Sequence, residues 1–392
     1  MQNGWTANHG SFRLAGAYIS YVAGFAGYIH DNYITINWDD GNTSAVDMKI
    51  LSRDNTTGTA SGDCDYDDNQ ALAKCKDSTI SEMGEYASSK WTTGVTHTYP
   101  DNGTTEYVVN WGATARRPTE NYPADDVQWR NETKVNIGGP YDNNTSPVSA
   151  VPPVVQVQDN KTFSYQVSAT DANNDNLTYR WGTKAEFFNG SGSFVMPTGM
   201  TLSSSGLVSW DVRDSVLCSG CSQNDVNDVD DLWVAVIMVE DRHDNGSGKS
   251  YIPVDFFFKT TDASNDPADF TDFPTGTKTV SVGGTKTFTI KSTDDSGVAP
   301  TITVLNPPSD NSSIWSTTTS TSGGETTFTI NFTPDSSMGG KTYVVNIRST
   351  DAAGMTKDQS IGIQISSVAN ADPSAPILLS PANGDNVTSP VV

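Results

Sequence analysis

An all-β chain of tandem β-sandwiches with a C-terminal extension strand is the fold class this sequence predicts. Three observations predict it. Apolar and polar residues alternate with period 2 in most apolar segments, helix signals are nearly absent, and Pro/Asp/Asn/Ser clusters punctuate the chain about every 100–140 residues, the size of one such sandwich. In Phe163-Ser-Tyr-Gln-Val167, Phe163, Tyr165 and Val167 face one way and Ser164 and Gln166 the other. Ile34, Ile36 and Trp38 repeat the pattern, as do Phe328, Ile330 and Phe332, and Ile361, Ile363 and Ile365. Leu232 to Val239 is continuously apolar, as a strand buried on both faces should be. Only residues 69–76 and 78–89 offer a helical turn or two.

The punctuation falls at Gly138–Pro147, continuing into Val151-Pro-Pro153, at Thr260–Pro267, and at Val368–Pro376. These clusters divide the chain into sandwiches over 1–147, 148–262 and 263–370, followed by a linker and orphan strand over 371–392. That last piece carries Pro376, Ile377, Leu378 and Leu379, which read either as the first strand of a further domain or as a strand donated to a neighbour's open sheet edge.

Composition bounds the function. The 392 residues carry a net charge of −23 and no basic cluster, which disfavours nucleic acid and anionic membrane as partners. The longest apolar stretch, Leu14 to Ile29, is interrupted by Ser20 and glycines and is shorter than the roughly 20 residues a spanning helix needs. Four cysteines form two close pairs, Cys64 with Cys75 and Cys218 with Cys221, and two small-loop disulfides are expected. Thirteen Asn-x-Ser/Thr sequons occur where about seven would arise by chance: Asn42, Asn55, Asn102, Asn131, Asn143, Asn144, Asn160, Asn176, Asn189, Asn245, Asn311, Asn331 and Asn386. N-linked glycans are expected on this ground.

Two segments carry family resemblances. Thr162 to Tyr179 (TFSYQVSATDANNDNLTY), followed by Pro197 to Trp210 (PTGMTLSSSGLVSW), resembles the Ig-like, cadherin-like repeats found in tandem on bacterial and algal surface proteins. Trp38-Asp-Asp-Gly41, then Val95-Thr-His-Thr-Tyr99, Gly103 and Tyr107-Val-Val109, resembles the polycystic-kidney-disease-type (PKD) domain, with the family's Gly-Asp-Gly turn reduced to Asp-Asp-Gly. Within the third piece, Lys291-Ser-Thr-Asp-Asp295 and Arg348-Ser-Thr-Asp-Ala352 echo Val167-Ser-Ala-Thr-Asp171. The resemblance implies an extracellular, cell-surface location and calcium gathered from acidic loops at domain junctions. Asp171, Asn173 and Asp175 in one loop, with Asp241 and Asp244 after another strand, are the candidate Ca²⁺ ligands. The competing reading is a bare Asx turn, whose side chains bond their own backbone.

His9, His30, His97 and His243 have no Gly-x-Ser-x-Gly or paired-His context, so no catalytic residue is assigned and the chain is expected to be no enzyme. The expected role is structural: a subunit of a glycosylated extracellular filament or surface layer, its partners being copies of itself. Two rivals remain: a cell-surface adhesin fragment that binds carbohydrate or another cell, and a non-catalytic accessory region of a secreted polysaccharide-degrading enzyme.

Overall fold

A computed structural model describes residues 11–12, 28–54, 78–87, 90–93, 95–99, 104–113, 121, 129–141, 143–152, 154–159, 161–187, 196–212, 232–261 and 264–366. The four cysteines, the sequons at Asn55, Asn102, Asn160, Asn189 and Asn386, the turn at 69–76 and the tail at Pro376–Leu379 lie outside the described residues. The chain is all-β, built of Ig-like sandwiches, with one short α-helix among the described residues.

The first piece holds β1 (Ser11–Phe12), β2 (Tyr28–Asn37), β3 (Thr43–Asp54), β4 (Ser78–Ala87), β5 (Lys90–Thr93), β6 (Val95–Thr96), β7 (Thr105–Ala113) and β8 (Trp129–Ile137). Residues 78–87 form strand β4 and not the helical turns expected there. The segment is held by seven antiparallel pairs to β3, from Asp47↔Gly84 to Asp54↔Ser78, and such long-range pairing overrides weak helix propensity.

The second piece holds β9 (Val148–Ser149), β10 (Val154–Gln158), β11 (Thr162–Gln166), β12 (Ala169–Thr170), β13 (Asn176–Trp181), α1 (Lys184–Phe187), β14 (Thr201–Leu202), β15 (Leu207–Asp211), β16 (Leu232–Arg242) and β17 (Gly248–Thr261). One layer has the order β11-β15-β14; β10, β17, β16 and β13 make the other. As the sequence predicted, Leu232 to Val239 is buried throughout, lying between β13 and β17.

The third piece is a four-on-four sandwich. β18 (Asp269–Asp272), β20 (Lys286–Thr293), β23 (Glu325–Phe332) and β22 (Trp315–Ser322) form one sheet in that order. β19 (Thr277–Val280), β25 (Thr356–Ile365), β24 (Thr342–Thr350) and β21 (Thr301–Val304) form the other. Phe328, Ile330, Phe332, Ile361, Ile363 and Ile365 are all buried in its core, as the alternation predicted. In both sandwiches the second strand in chain order pairs in parallel with the last one, β10 with β17 and β19 with β25.

The boundary expected at 147/148 is crossed by both sheet and core. A ten-stranded sheet runs β13-β16-β17-β8-β7-β2-β3-β4-β5, with β10 beside β17. Where it passes from β17 to β8 only Tyr251 and Lys134 are paired, and side chains extend the join. Asn136 Nδ2 donates to Lys249 O at 2.5 Å, and the Tyr251 hydroxyl donates to Glu132 Oε1 at 2.7 Å. Trp38, Tyr107, Val109 and Trp111 of the first piece belong to the same buried cluster as Tyr165, Trp210 and Phe256 of the second. Among the described residues, the first piece therefore lacks a closed core of its own. The second and third pieces keep separate cores, joined by Gln156 Oε1 accepting from Thr356 N at 2.7 Å and by the buried Arg348 facing Val154 O at 3.4 Å.

Trp38, His97 and Tyr99 of the first piece form one stack. The His97 ring lies parallel to Trp38 at 4.7 Å, its Nε2 is 2.7 Å from Asp40 Oδ2, and the Tyr99 hydroxyl donates to Trp38 O. Asp39 has φ +64°, so the turn uses the left-handed conformation that Asx residues tolerate.

Candidate metal centre

The repeated Ser/Ala-Thr-Asp motif turns out to be a strand-end turn. Asp171 Oδ1 accepts the backbone N–H groups of Asn173 at 2.8 Å and Asp175 at 3.1 Å, with Asn174 at φ +61°. Asp351 Oδ1 accepts from Ala353 and Met355 at 2.8 Å each, with Gly354 at φ +92°. Asp294 Oδ1 accepts from Ser296 at 3.0 Å, with Gly297 at φ +74°. In each case a short carboxylate satisfies backbone donors while the fourth residue turns left-handed. One carboxylate oxygen is thereby occupied by the turn itself.

At Asp171 the second oxygen has further company. The loop after β12 and the end of β16 bring Asp171, Asp175 and Asp241 together, one oxygen from each lying within 4.8 Å of the others. Asp171 is 6% exposed and Asp241 is fully buried. Asp241 Oδ1 accepts from Ser250 N and Oγ, both at 2.6 Å, and its Oδ2 accepts from Asn144 Nδ2 at 2.7 Å. Lys249 Nζ reaches Asp175 Oδ1 at 2.6 Å. Three carboxylates against this one ammonium leave two negative charges at the site.

Of the five expected ligands, the structure gathers three. Asn173 instead staples the loop to the inter-unit linker: its Oδ1 accepts from Thr145 N at 2.7 Å and its Nδ2 donates to Asn143 O at 3.0 Å. Asp244 is exposed on the β16–β17 hairpin and falls outside the cluster. Sequence reasoning missed Asn144 as a member, reading it only as a sequon. Proximity to Asp241 comes from the chain path alone, 97 residues away, so no local spacing could reveal it.

Burial pushes the Asp171 carboxyl up to about 6, and the neighbouring Asp241 and Asp175 charges push the same way, against the turn N–H groups. Burial likewise raises Asp241, opposed by the Ser250 and Asn144 hydrogen bonds. Asp171 Oδ2, Asp175 Oδ2 and Asn144 Oδ1 are buried atoms without a hydrogen-bond partner, each an acceptor. Such oxygens are costly to bury unpaired and are what a hard divalent cation takes as ligands. The residues present therefore fit Ca²⁺.

The sequons divide by exposure. Asn42, Asn143, Asn176, Asn245 and Asn311 are exposed, and Asn331 is half-buried on β23. Asn144 is half-buried with its amide committed to Asp241. Asn131 is fully buried on β8, opposite Trp111, and can carry no glycan in this fold. The tripeptide specifies acceptor chemistry but not the face of the strand.

Sandwich topology defines the class: an Ig-like repeat protein. No family model and no curated protein matches the chain. Among solved structures, the GspB Siglec domain is similar at 18% identity and a TM-score of 0.23, over 28% of this chain and 61% of that one. The sialic acid binding region of a Streptococcus sanguinis adhesin bound to 3'sLn is similar at 13% identity and a TM-score of 0.21, over 57% of this chain and 78% of that one. A pair of tandem titin Ig domains is similar at 11% identity and a TM-score of 0.20, over 55% and 93%. These likenesses concern the fold alone. No helix among the described residues is long and apolar enough to cross a membrane.

Proposed function

We propose that this chain is a non-catalytic structural subunit of a glycosylated extracellular filament or surface layer, whose unit junctions are stiffened by calcium. The observation that carries the reading is the join between the first two pieces. They share one sheet and one core, and Asn143, Asn144 and Thr145 of the linker are bonded to the acidic loop of the second sandwich. A flexible linker would let units reorient freely; a hydrogen-bonded, cation-bridged one holds a fixed geometry suited to bearing load along the chain. Ca²⁺ held by Asp171, Asp175 and Asp241 of the second sandwich, with Asn144 Oδ1 of the linker as a further ligand, would tie the two pieces, neutralise the two excess charges and supply partners to the unpaired oxygens.

Electron microscopy of the native secreted material tests the architectural half. Regular filaments or sheets with one chain per repeat are expected, and isolated rods at all concentrations would overturn it. Melting in EDTA and in millimolar CaCl₂ tests the metal half. The expected gain is RT ln(1 + [Ca]/Kd), about 2.7 kcal/mol at a hundredfold excess over Kd. An unchanged melting temperature would remove calcium from the proposal.

A further inference from the structure

A second feature of the middle sandwich concerns how one copy would meet the next. Among the described residues, strand β11 is the edge of its sheet, paired on one side only, with β15. The flanking bonds Val212 N to Lys161 O and Val167 N to Gly206 O show that odd-numbered residues here face β15. By antiparallel alternation, the N–H and C=O groups of Thr162, Ser164 and Gln166 point away from it. No backbone partner for these three is found among the described residues. That edge looks into a cleft of about 510 Å³ lined by all of Thr162–Gln166, with Thr356–Ser360 of β25 opposite. Its size lies within the roughly 300–1,000 Å³ usual for binding clefts.

The cleft is sticky as well as open. Phe163, Phe273 and Leu207 contribute apolar surface to it, and Leu207 is 40% exposed. Only one other large apolar side chain among the described residues, Val298, stands out in solvent. Exposed edges are normally blunted by a charge, a proline or a bulge. β11 has none of these: Thr162-Phe-Ser-Tyr-Gln166 is uncharged, free of proline and in unbroken register with β15. An unprotected edge beside exposed leucine calls for an extended, apolar, backbone-pairing occupant.

The chain itself carries such a segment. Ile377-Leu-Leu-Ser380 lies between Pro376 and Pro381, so four consecutive residues have N–H groups to pair, against a five-residue edge. It bears no charge, an advantage in a chain of net charge −23 that must approach its own copies. We propose that the edge of β11 is an acceptor groove, and that it takes Ile377–Ser380 of a second copy as an added strand. This rests on the filament reading above and names its joint.

The test uses the full-length protein and a labelled peptide spanning Ser374–Ser380, followed by fluorescence anisotropy. Saturable binding is expected, lost for a peptide carrying Leu378→Asp. Two variants of the full chain probe the groove. Ser164→Pro removes an outward N–H that β15 does not use, and Leu207→Asp places a charge in the cleft; each should weaken binding by at least about tenfold with an unchanged melting temperature. Binding no tighter than that of a scrambled peptide, or binding that neither variant weakens, overturns the groove. Filaments that form although the peptide does not bind overturn the groove and leave the filament reading standing. Peptide binding by a full chain that stays monomeric at high concentration overturns the second copy as occupant.

Discussion

Replacing Asp171 with Asn isolates the electrostatic cost stored at the junction. The amide keeps an Oδ1 acceptor for the Asn173 and Asp175 N–H groups, so the turn survives, while the buried charge is removed. Asp171 sits at about 6 against 3.8 unperturbed, a difference of about 2 pH units, and at 1.36 kcal/mol each this is about 3 kcal/mol. The sign follows from proton linkage. A carboxyl raised in the folded state binds its proton more tightly there, so its contribution is favourable below about pH 4, is lost as pH rises through about 6, and stays lost above. Without divalent cations at pH 7, Asp171→Asn should therefore melt higher than the wild type, by up to about 3 kcal/mol or several degrees. At pH 4 the two should converge. Saturating calcium should raise the wild type and leave the variant unmoved. Differential scanning calorimetry in EDTA and in CaCl₂, at both pH values, reads all four comparisons. A variant that melts lower than wild type in EDTA at pH 7, or one that keeps the full calcium gain, would refute the reasoning.

Three further outcomes follow from the packing. Gly206 has φ +87°, and a Cβ there would lie 2.7 Å from Val167 O and from the Tyr179 ring; Gly206→Ala should cost about 2 kcal/mol or more by thermal melting, and a neutral result would contradict the turn geometry. Asp358→Ala leaves Arg348 without the buried partner that it meets at 2.8 and 2.9 Å, so chemical denaturation should show the third sandwich about 3–5 kcal/mol weaker. Glycopeptide mass mapping of the secreted protein should find sugar among the exposed sequons Asn42, Asn176, Asn245 and Asn311 and none at Asn131, whose occupancy would be incompatible with the buried face of β8.

Much of the fold was legible because strand burial writes a period of two into the chain. Phe328, Ile330 and Phe332 are buried because alternate side chains point to one face, and Leu232–Val239 is uniformly apolar because one face enters the main core and the other packs a second cluster with Phe187 of α1. The turns were legible too, since Asp at a strand end followed by Asn or Gly three residues on has one good backbone solution. The 78–87 segment was misread because Glu, Met and Ala carry helix propensity, while its strand state is imposed by β3, a partner remote in sequence. The acidic cluster was half legible: Asp171 and Asp175 share a loop, and Asp241 was named, yet Asn173 and Asn144 exchange roles once the linker is in place.

By itself, the sequence determined the all-β class, the inward faces of the strands and the acidic character of the turns. Each follows from interactions within a few residues, where side-chain period and backbone preference act directly. Tertiary structure alone decided that the first two pieces share a sheet and a core, that three carboxylates and one linker asparagine converge, and that β11 pairs with β15 alone among the described strands. Those depend on which distant strands meet, through Tyr251 and Lys134 in one case and Asn144 and Asp241 in another. Such pairings are selected by the free energy of the whole packed arrangement and leave no periodic trace along the chain.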